Sequence, residues 1–191
     1  MNSYLFKAYW KYWKKAKGRH GVHSPFVFSF IENILRKKTK TAPNFNLAIK
    51  QSNSLINKIV SHFQCKQILW LSNNLYDEQS YISISDVKEK KATVTSKQCN
   101  WESLHQFPIP DLVLINTKDP QEWQPIFEKM KTVIHPNTIV ILVSIHQSEW
   151  HTKNWNQIAK QEYVKLSIDL FKIGLLLFRD EFLAKQHFVL K

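Results

Sequence analysis

Glycine is almost absent from this chain of 191 residues. There are three glycines, and none lies between Gly21 and Gly174. A glycine-rich turn from a strand into a helix lets backbone amides approach a phosphate or a ribose, because a residue without a Cβ leaves room for them. The long central part of the sequence cannot contain such a loop, so any nucleotide bound there would need other contacts.

Cysteine and long apolar runs are also scarce. Cys65 and Cys99 follow no metal-binding pattern, which is typical of a reducing compartment and gives no sign of a zinc site. The longest apolar runs, such as Ile139–Val143, fall far below the ~18 residues that suggest a membrane span. The N-terminal lysines are interspersed among apolar residues and no small-residue cleavage site follows, so a signal peptide is not indicated. We expect a cytoplasmic protein.

Acidic residues are nearly missing from the first 40 positions. That segment has ten Lys or Arg and one acid, Glu32, whereas the rest of the chain has 17 basic and 14 acidic residues. The net charge of +12 therefore comes mainly from the N-terminus. We predict a basic helical extension over 1–46 and a single α/β domain over 47–191. The extension indicates either a solubilising surface or a site for an anionic partner, such as nucleic acid, anionic lipid or an acidic protein.

The N-terminal segment projects as a basic amphipathic helix. Its lysines lie on one side: Lys7, Lys11, Lys14 and Lys15. The other side carries Leu5, Tyr9, Tyr12, Trp13 and Ala16, with Phe6 and Trp10 at the border. Such a helix could lie on a membrane surface or stack on bases. We favour packing of the aromatic face on the domain itself, and Lys7, Trp10, Lys11, Trp13 and Lys14 form the candidate partner surface.

Residues 19–28, RHGVHSPFVF, predict a helix start. Ser24 suits the N-cap and Pro25 the first helical position, and the helix is expected to run to about Lys38. A polar linker over 39–46 and a helix over 47–63 follow. His20 and His23 are spaced like half of a metal site, but no third ligand is suggested nearby, so a loop or capping role is favoured.

The rest of the sequence alternates strand and helix patterns. Strands are predicted over 67–72, 81–85, 92–96, 111–116, 138–145, 164–170, 174–179 and 186–190, with helices over 120–134 and 149–161. The almost wholly apolar segment 138–145 is typical of the centre of a parallel sheet covered on both faces. The consecutive strands at the end indicate an antiparallel hairpin closing one sheet edge.

RHGVHSPFVF, together with SIDLFKIGLLLFR at 167–179 and HFVLK at 187–191, resembles a group of bacterial class I S-adenosylmethionine-dependent methyltransferase-like proteins. The resemblance covers both ends and the order of strands between them. It implies a Rossmann-like methyltransferase sheet, mostly parallel with an antiparallel C-terminal strand pair and helices on both faces. It also implies S-adenosylmethionine as the cofactor, if any cofactor is bound.

The sequence departs from this family where the cofactor would bind. The family's first strand ends in an acid and a glycine-rich turn, of the form ELGTSLG, where this chain has Trp70, Leu71, Ser72, Asn73 and Asn74. Its fourth strand ends in Asp-Gly, where this chain has Asn116 and Thr117. Ser72, Asn73, Asn116 and Asp86, which could bond a ribose after the strand over 81–85, are the candidate cofactor contacts.

The family's fifth strand ends in two acids before Ile-His, and here Val143 and Ser144 precede Ile145 and His146. The intervals 73–80 and 86–91 are shorter than the ~10–12 residues of a full parallel crossover, which predicts shortened or missing helices there. The cofactor region is therefore predicted to be degenerate.

No other catalytic motif replaces the lost positions. The sequence contains no phosphate loop, HExxH, CxxC or GxSxG motif, and we expect no metal site. Candidate bases are His135, His146 and His151, with two acids, Asp111 and Asp119, predicted near the same strand ends. His146 and Trp150 are placed at the rim of a pocket, although a surface or capping histidine and a packed tryptophan are the favoured alternatives.

Three functions stay open at this point. The departures favour a methyltransferase-like binding or scaffold module that no longer methylates. The resemblance itself favours an active methyltransferase with an atypical, glycine-free cofactor loop. The charge alone suggests a module that binds nucleic acid or another anionic surface.

Overall fold

The computed structural model describes residues 3–36, 47–72, 92–94 and 108–191. The helices are α1 (Ser3–Lys15), α2 (Pro25–Phe30), α3 (Leu47–His62), α4 (Trp123–Met130) and α5 (Glu149–Ala159). A π-helical segment, Ile31–Leu35, extends α2, and short 3₁₀ helices cover Arg19–Gly21 and Pro120–Glu122. The strands are β1 (Ile68–Ser72), β2 (Ala92–Val94), β3 (Leu112–Asn116), β4 (Ile139–Val143), β5 (Leu166–Asp169), β6 (Ile173–Leu177) and β7 (Gln186–Val189).

The strands form one sheet in the order β2-β1-β3-β4-β6-β5-β7. All neighbouring pairs are parallel except those that involve β6, which runs antiparallel to both β4 and β5. The predicted mostly parallel α/β sheet with an antiparallel C-terminal pair is confirmed. One detail differs: the β5–β6 hairpin lies inside the sheet, because β7 pairs with β5 and forms the edge.

Both faces of the sheet are covered, which explains the continuous apolar strands. Every residue of β1 and β4 is buried. Alternate strand residues join two separate cores, as the period of two in a strand requires. One core packs against α2, the π-helical segment and α3, and the other against α4 and α5. The predicted arrangement of helices on both faces is therefore confirmed.

The helix starts follow local rules. The Ser24 hydroxyl accepts a bond from the backbone amide of Val27, and Pro25 opens α2, as predicted. Ser148 caps α5 in the same way by accepting from the amide of His151. Asp119 accepts from the amide of Gln121 and begins the 3₁₀ turn that leads into α4.

Gly174, the glycine that ends the long glycine-free stretch, is required by packing. A Cβ at this position of β6 would lie 2.5 Å from the ring of Trp155. Trp155 is fully buried on α5, so its ring cannot move aside. The φ of Gly174 is not positive, so a left-handed backbone is not the reason for the glycine. The glycine allows the close approach of α5 to the sheet.

Several predictions lie outside the described residues: the strand over 81–85, the shortened crossovers, Asn73, Asp86 and the linker over 39–46. The boundary at 46 between the predicted extension and domain stays a prediction for the same reason. In the ranges that the structure covers, no helix has both the length and the hydropathy needed to cross a bilayer.

Candidate functional site

The carboxyl ends of the parallel strands meet at one edge of the sheet, the usual place for a ligand in open α/β folds. Pairing of β1 with β3 sets Ser72 directly beside Asn116. Ser72 is fully buried and Asn116 is half-buried. The structure therefore brings together two of the four predicted cofactor residues.

β2 hydrogen-bonds directly to β1 on the side away from β3. β1 therefore has a described neighbour on each side: β3 on one side and β2, Ala92–Val94, on the other. The ribose contact predicted for Asp86 depends on a strand over 81–85, which lies outside the described residues. Asp86 as a cofactor contact stays a prediction, without a described strand end to place it.

The described side chains that end β1 and β3, Ser72 and Asn116, are short and neutral. The Thr117 hydroxyl, which is buried, donates to the carbonyl of Asp119. Asp119 itself caps the following 3₁₀ turn through Oδ1. S-adenosylmethionine carries a ribose diol and a positively charged sulfonium, both of which are well matched by a carboxylate. The described residues of β1 and β3 do not fit this cofactor, because none of them presents a free carboxylate there.

The other half of the edge, beside β4 and β5, is a dense polar cluster. His146 follows β4, and its Nε2 lies 2.7 Å from Oδ2 of Asp169, the last residue of β5. Its Nδ1 lies 2.8 Å from the hydroxyl of Thr152 on α5. Nε2 donates to the carboxylate, and Nδ1 accepts from Thr152 in the neutral tautomer. Both ring nitrogens are therefore bonded to side chains of the chain itself.

Phe171 completes this cluster with an unusual backbone. It sits in the β5–β6 turn at φ 65°, a left-handed conformation that is strained for a bulky residue. Its amide donates to Oδ1 of Asp169, 2.8 Å away, and its ring stacks on His146 with centroids 5.3 Å apart. We call His146, Thr152, Asp169 and Phe171 the docking cluster.

Helix α1 is fixed on the docking cluster. The Tyr4 hydroxyl lies 2.6 Å from the hydroxyl of Thr152. The rings of Tyr9 and Tyr12 contact the ring of Phe171 at centroid distances of 5.0 and 5.2 Å. The amphipathic helix therefore carries three tyrosines, spaced five and three residues apart, that reach this cluster.

The C-terminal strand fastens the end of the helix. The Tyr12 hydroxyl donates to the carbonyl of Leu190. The amide of Lys17 donates to the carbonyl of Val189, and the amide of Lys191 donates to the carbonyl of Lys17. Burial, with the nearby charge of Asp169, raises the pKa of Tyr12, so this phenol is held in its neutral form.

The outer face of α1 is different. Phe6 is 60% exposed, Trp10 52% and Trp13 49%. The expectation that the whole aromatic face packs on the domain is wrong for Trp13, because the inner side is occupied by Tyr4, Tyr12, Leu5, Ala8 and Ala16, with the half-exposed Tyr9 at its border. Lys7, Lys11 and Lys14 are exposed, as a partner surface requires.

The remaining candidate bases divide between the two edges of the sheet. His151 lies at the carboxyl edge, buried against Trp123, and burial lowers its pKa although Asp119 opposes the effect. The placement of Asp111 near the same strand ends is wrong. It precedes β3 at the opposite edge, where its Oδ2 accepts from the amides of Lys66 and Gln67. His135 precedes β4 at that same edge.

The predicted rim residues also behave differently from each other. Trp150 is 56% exposed in the first turn of α5, with the Lys153 ammonium 5.0 Å from its ring centre. His146 is neither exposed nor a helix cap, so the favoured alternative for it is wrong. Burial raises the pKa of the Cys65 thiol to about 12, which removes it as a nucleophile.

Sequence reasoning missed Tyr4, Thr152, Asp169 and Phe171. Asp169 gave a usable signal, because an acid inside a predicted strand that is otherwise buried needs a partner. Phe171 gave none, since nothing in the local sequence indicates a left-handed aromatic residue. Among the residues described, no three metal-binding side chains come together.

Known structures match this architecture. A methyltransferase of Podospora anserina, solved with S-adenosylhomocysteine bound, is 9% identical over 94% of this chain and 97% of its own, with a TM-score of 0.52. The fold is that of the S-adenosylmethionine-dependent methyltransferases. An O-methyltransferase from Bacillus cereus, also solved with S-adenosylhomocysteine, is 14% identical over 80% of this chain and 97% of its own, with a TM-score of 0.46. No protein-family model and no curated protein matches the sequence.

Proposed function

We propose that this protein is a non-catalytic binding module built on the methyltransferase fold, with the outer face of α1 as its interaction surface. The observation that carries the proposal is the set of contacts that the His146 ring makes within the chain. Its two ring nitrogens are bonded to Asp169 and Thr152, and Phe171 stacks on the ring. A general base needs a nitrogen within reach of the proton that it removes.

The position of α1 supports this reading. Tyr4 bonds to Thr152 and Tyr12 bonds to Leu190, so the helix covers the β4–β5 half of the carboxyl edge. A methyl acceptor approaching that half would have to displace the helix. Moving α1 aside would break these two hydrogen bonds, which attach the N-terminal helix to α5 and to the C-terminal end of the chain.

The cofactor half of the edge supports it as well. In the family that the sequence resembles, acids stand where this chain has Trp70 and Asn116, and the acid that follows β3, Asp119, caps a turn. The neutral strand ends at the cofactor half and the helix over the β4–β5 half involve different residues, so each supports the proposal separately. Both are expected when a fold is kept for its surface and its former chemistry is lost.

An active methyltransferase with an atypical cofactor loop is the second candidate. The side-by-side placement of Ser72 and Asn116 favours it, because two polar groups at adjacent strand ends could bond one ligand. In that case Asp86 would supply the carboxylate that the described residues lack. The two candidates differ in a single measurable property, the affinity for S-adenosylmethionine.

Isothermal titration calorimetry of the full chain with S-adenosylmethionine and with S-adenosylhomocysteine tests the proposal. We expect no saturable heat at millimolar ligand, with the protein shown to be folded by circular dichroism. Micromolar binding that is lost in Asp86→Ala would overturn the proposal in favour of the enzyme candidate and justify a search for its methyl acceptor. Asp180→Ala, which removes an exposed acid after β6, is the matched control and should change neither result.

A further inference from the structure

We propose that the outer face of α1 binds an anionic phospholipid membrane surface, lying in the interface without crossing the bilayer. This inference rests on the proposed function, which makes α1 the interaction surface, and it names the partner. It is drawn from three features of the helix: exposed aromatic rings, unbalanced positive charge and rigid attachment to the domain.

The exposed rings form a continuous stripe along the helix. Phe6, Trp10 and Trp13 are spaced four and three residues apart, so they lie on the same face. Each of these side chains is about half exposed or more, whereas most large apolar side chains among the described residues are buried. We call these three residues the aromatic stripe. Tryptophan favours the boundary between lipid headgroups and acyl chains, because its indole is apolar but carries one N–H donor.

The charge around the stripe has one sign. α1 contains four lysines and no acid: Lys7, Lys11, Lys14 and Lys15. Lys17 and Lys191, which pair through the backbone at the end of β7, are also exposed. Long lysine side chains can keep their ammonium groups at the headgroup phosphates while the rings beside them enter the apolar layer. This surface is complementary to an anionic leaflet.

The geometry of the rings favours lipid over nucleic acid. The indoles of Trp10 and Trp13 stack on each other, with centroids 6.0 Å apart and planes 19° apart. The Lys14 ammonium lies 5.1 Å from the ring centre of Trp10, and that of Lys191 lies 4.9 Å from the ring centre of Trp13. Base stacking needs a free ring face, whereas insertion into an interface uses the ring edges. These indole faces are already in contact with another ring and with ammonium groups.

The attachment of α1 makes the surface ready to bind. A short helix of 13 residues, about 20 Å long, is marginal in water by itself, and many interfacial helices have to fold on the membrane. Here Tyr4, Tyr9 and Tyr12 hold the helix on the docking cluster. The aromatic stripe is therefore already directed outward, and binding does not have to order the helix.

Vesicle flotation of the purified full chain tests the inference. We expect the protein to float with vesicles of equimolar phosphatidylcholine and phosphatidylglycerol and to stay behind with vesicles of phosphatidylcholine alone. Added salt should weaken the binding, because it screens the lysines. Tryptophan emission should shift to the blue on binding as Trp10 and Trp13 leave water.

Two variants separate the contribution of the tryptophan rings to vesicle binding from that of the lysines. Trp10→Ala with Trp13→Ala should lower partitioning on the order of tenfold or more, since two half-exposed rings no longer enter the apolar layer. Lys7→Gln, Lys11→Gln and Lys14→Gln together should lower it about a hundredfold, from roughly fivefold for each lysine near the surface. The matched control removes three exposed lysines at the opposite edge of the sheet, Lys129, Lys160 and Lys185, and should change partitioning little.

Equal flotation with both vesicle types, no flotation, or an equal loss in the control variant would each overturn the inference. Tight binding of a single-stranded oligonucleotide without vesicle binding would overturn it in favour of nucleic acid. The calorimetric titration is independent: binding of S-adenosylmethionine would overturn the proposed function while leaving a positive vesicle result in place. Failure to float, with no cofactor binding, would overturn this inference alone.

Discussion

The two faces of α1 are built on opposite principles. On the inner face, the tyrosines use their hydroxyls as well as their rings: the Tyr4 hydroxyl bonds to Thr152 and the Tyr12 hydroxyl to the carbonyl of Leu190. On the outer face, Phe6, Trp10 and Trp13 have large apolar areas and are left about half in water. The helix is held by a few directional contacts, while its most hydrophobic side chains do not contribute to the core.

This difference shows why an amphipathic pattern alone does not identify the buried side. Burial of a large apolar side chain stabilises a protein by about 1.5–3 kcal/mol, so leaving two tryptophans half exposed forgoes stability that folding could have gained. The docking cluster compensates with hydrogen bonds in a site of low exposure. An exposed aromatic stripe on a helix fixed in this way indicates a surface kept for something outside the chain.

Asp169→Ala should have the largest effect, because it removes the acceptor at the centre of the docking cluster. Asp169 is 5% exposed and bonds to His146 and to the amide of Phe171. Its loss leaves a buried histidine and a buried amide without their acceptor, which should lower the free energy of unfolding by about 3 kcal/mol. Urea denaturation followed by circular dichroism measures this. Asp180→Ala is the exposed control, and an equal effect in both variants would contradict the role of the cluster.

Phe171 offers a test of the strained turn. Phe171→Ala loses the ring contacts with His146, Tyr9 and Tyr12 and keeps a Cβ at φ 65°. Phe171→Gly loses the same contacts but relieves the strain. The glycine variant should therefore be more stable than the alanine variant by about 1 kcal/mol, the reverse of their usual order in regular structure. Thermal melts of the two proteins decide this, and the usual order would show that the turn is not strained.

Tyr12→Phe should lower the free energy of unfolding by about 1 kcal/mol at neutral pH, through the bond to Leu190. The pKa of Tyr12 is raised in the folded protein, mainly by burial. Its contribution is therefore complete below the pKa of about 10 of an exposed tyrosine, and is lost as the pH rises toward the higher folded value. Urea denaturation across the alkaline range should show a steeper loss in the original protein than in Tyr12→Phe. Parallel slopes would contradict the assignment.

The fold was predictable from the sequence because its signals are repetitive and local. The apolar runs of β1 and β4, the cap at Ser24 and Pro25, and the helices after β3 and β4 all agree with the structure within a few residues. The order of strands depends on long-range pairing, which no local pattern encodes. The insertion of β6 between β4 and β5, with β7 at the edge, is a consequence of that pairing.

The site was much less predictable. His146 was found because it follows a strand, yet its partners Thr152 and Asp169 come from α5 and β5, and only the fold brings them together. The misplacement of Asp111 has a different cause: Asp111 begins the strand predicted over 111–116, so chain direction places it at the amino edge of the sheet, opposite the ligand edge. The helical projection predicts Trp13 on the packed side, because it places residues by angle alone and does not include the hydrogen bonds that hold Tyr4 and Tyr12.

The smallest effect on stability should come from the aromatic stripe. Trp10→Ala combined with Trp13→Ala should change the free energy of unfolding by less than about 0.5 kcal/mol per site, because both rings are half in water and contact each other and lysine ammonium groups. Urea denaturation checks this alongside Tyr12→Phe, which removes a single oxygen from the inner face. If the double tryptophan variant were the less stable of the two, the stripe would be part of the packed structure of the protein. If it were as stable as the original chain, two large apolar side chains would be held at the surface without any benefit to folding, as a contact site for a partner requires.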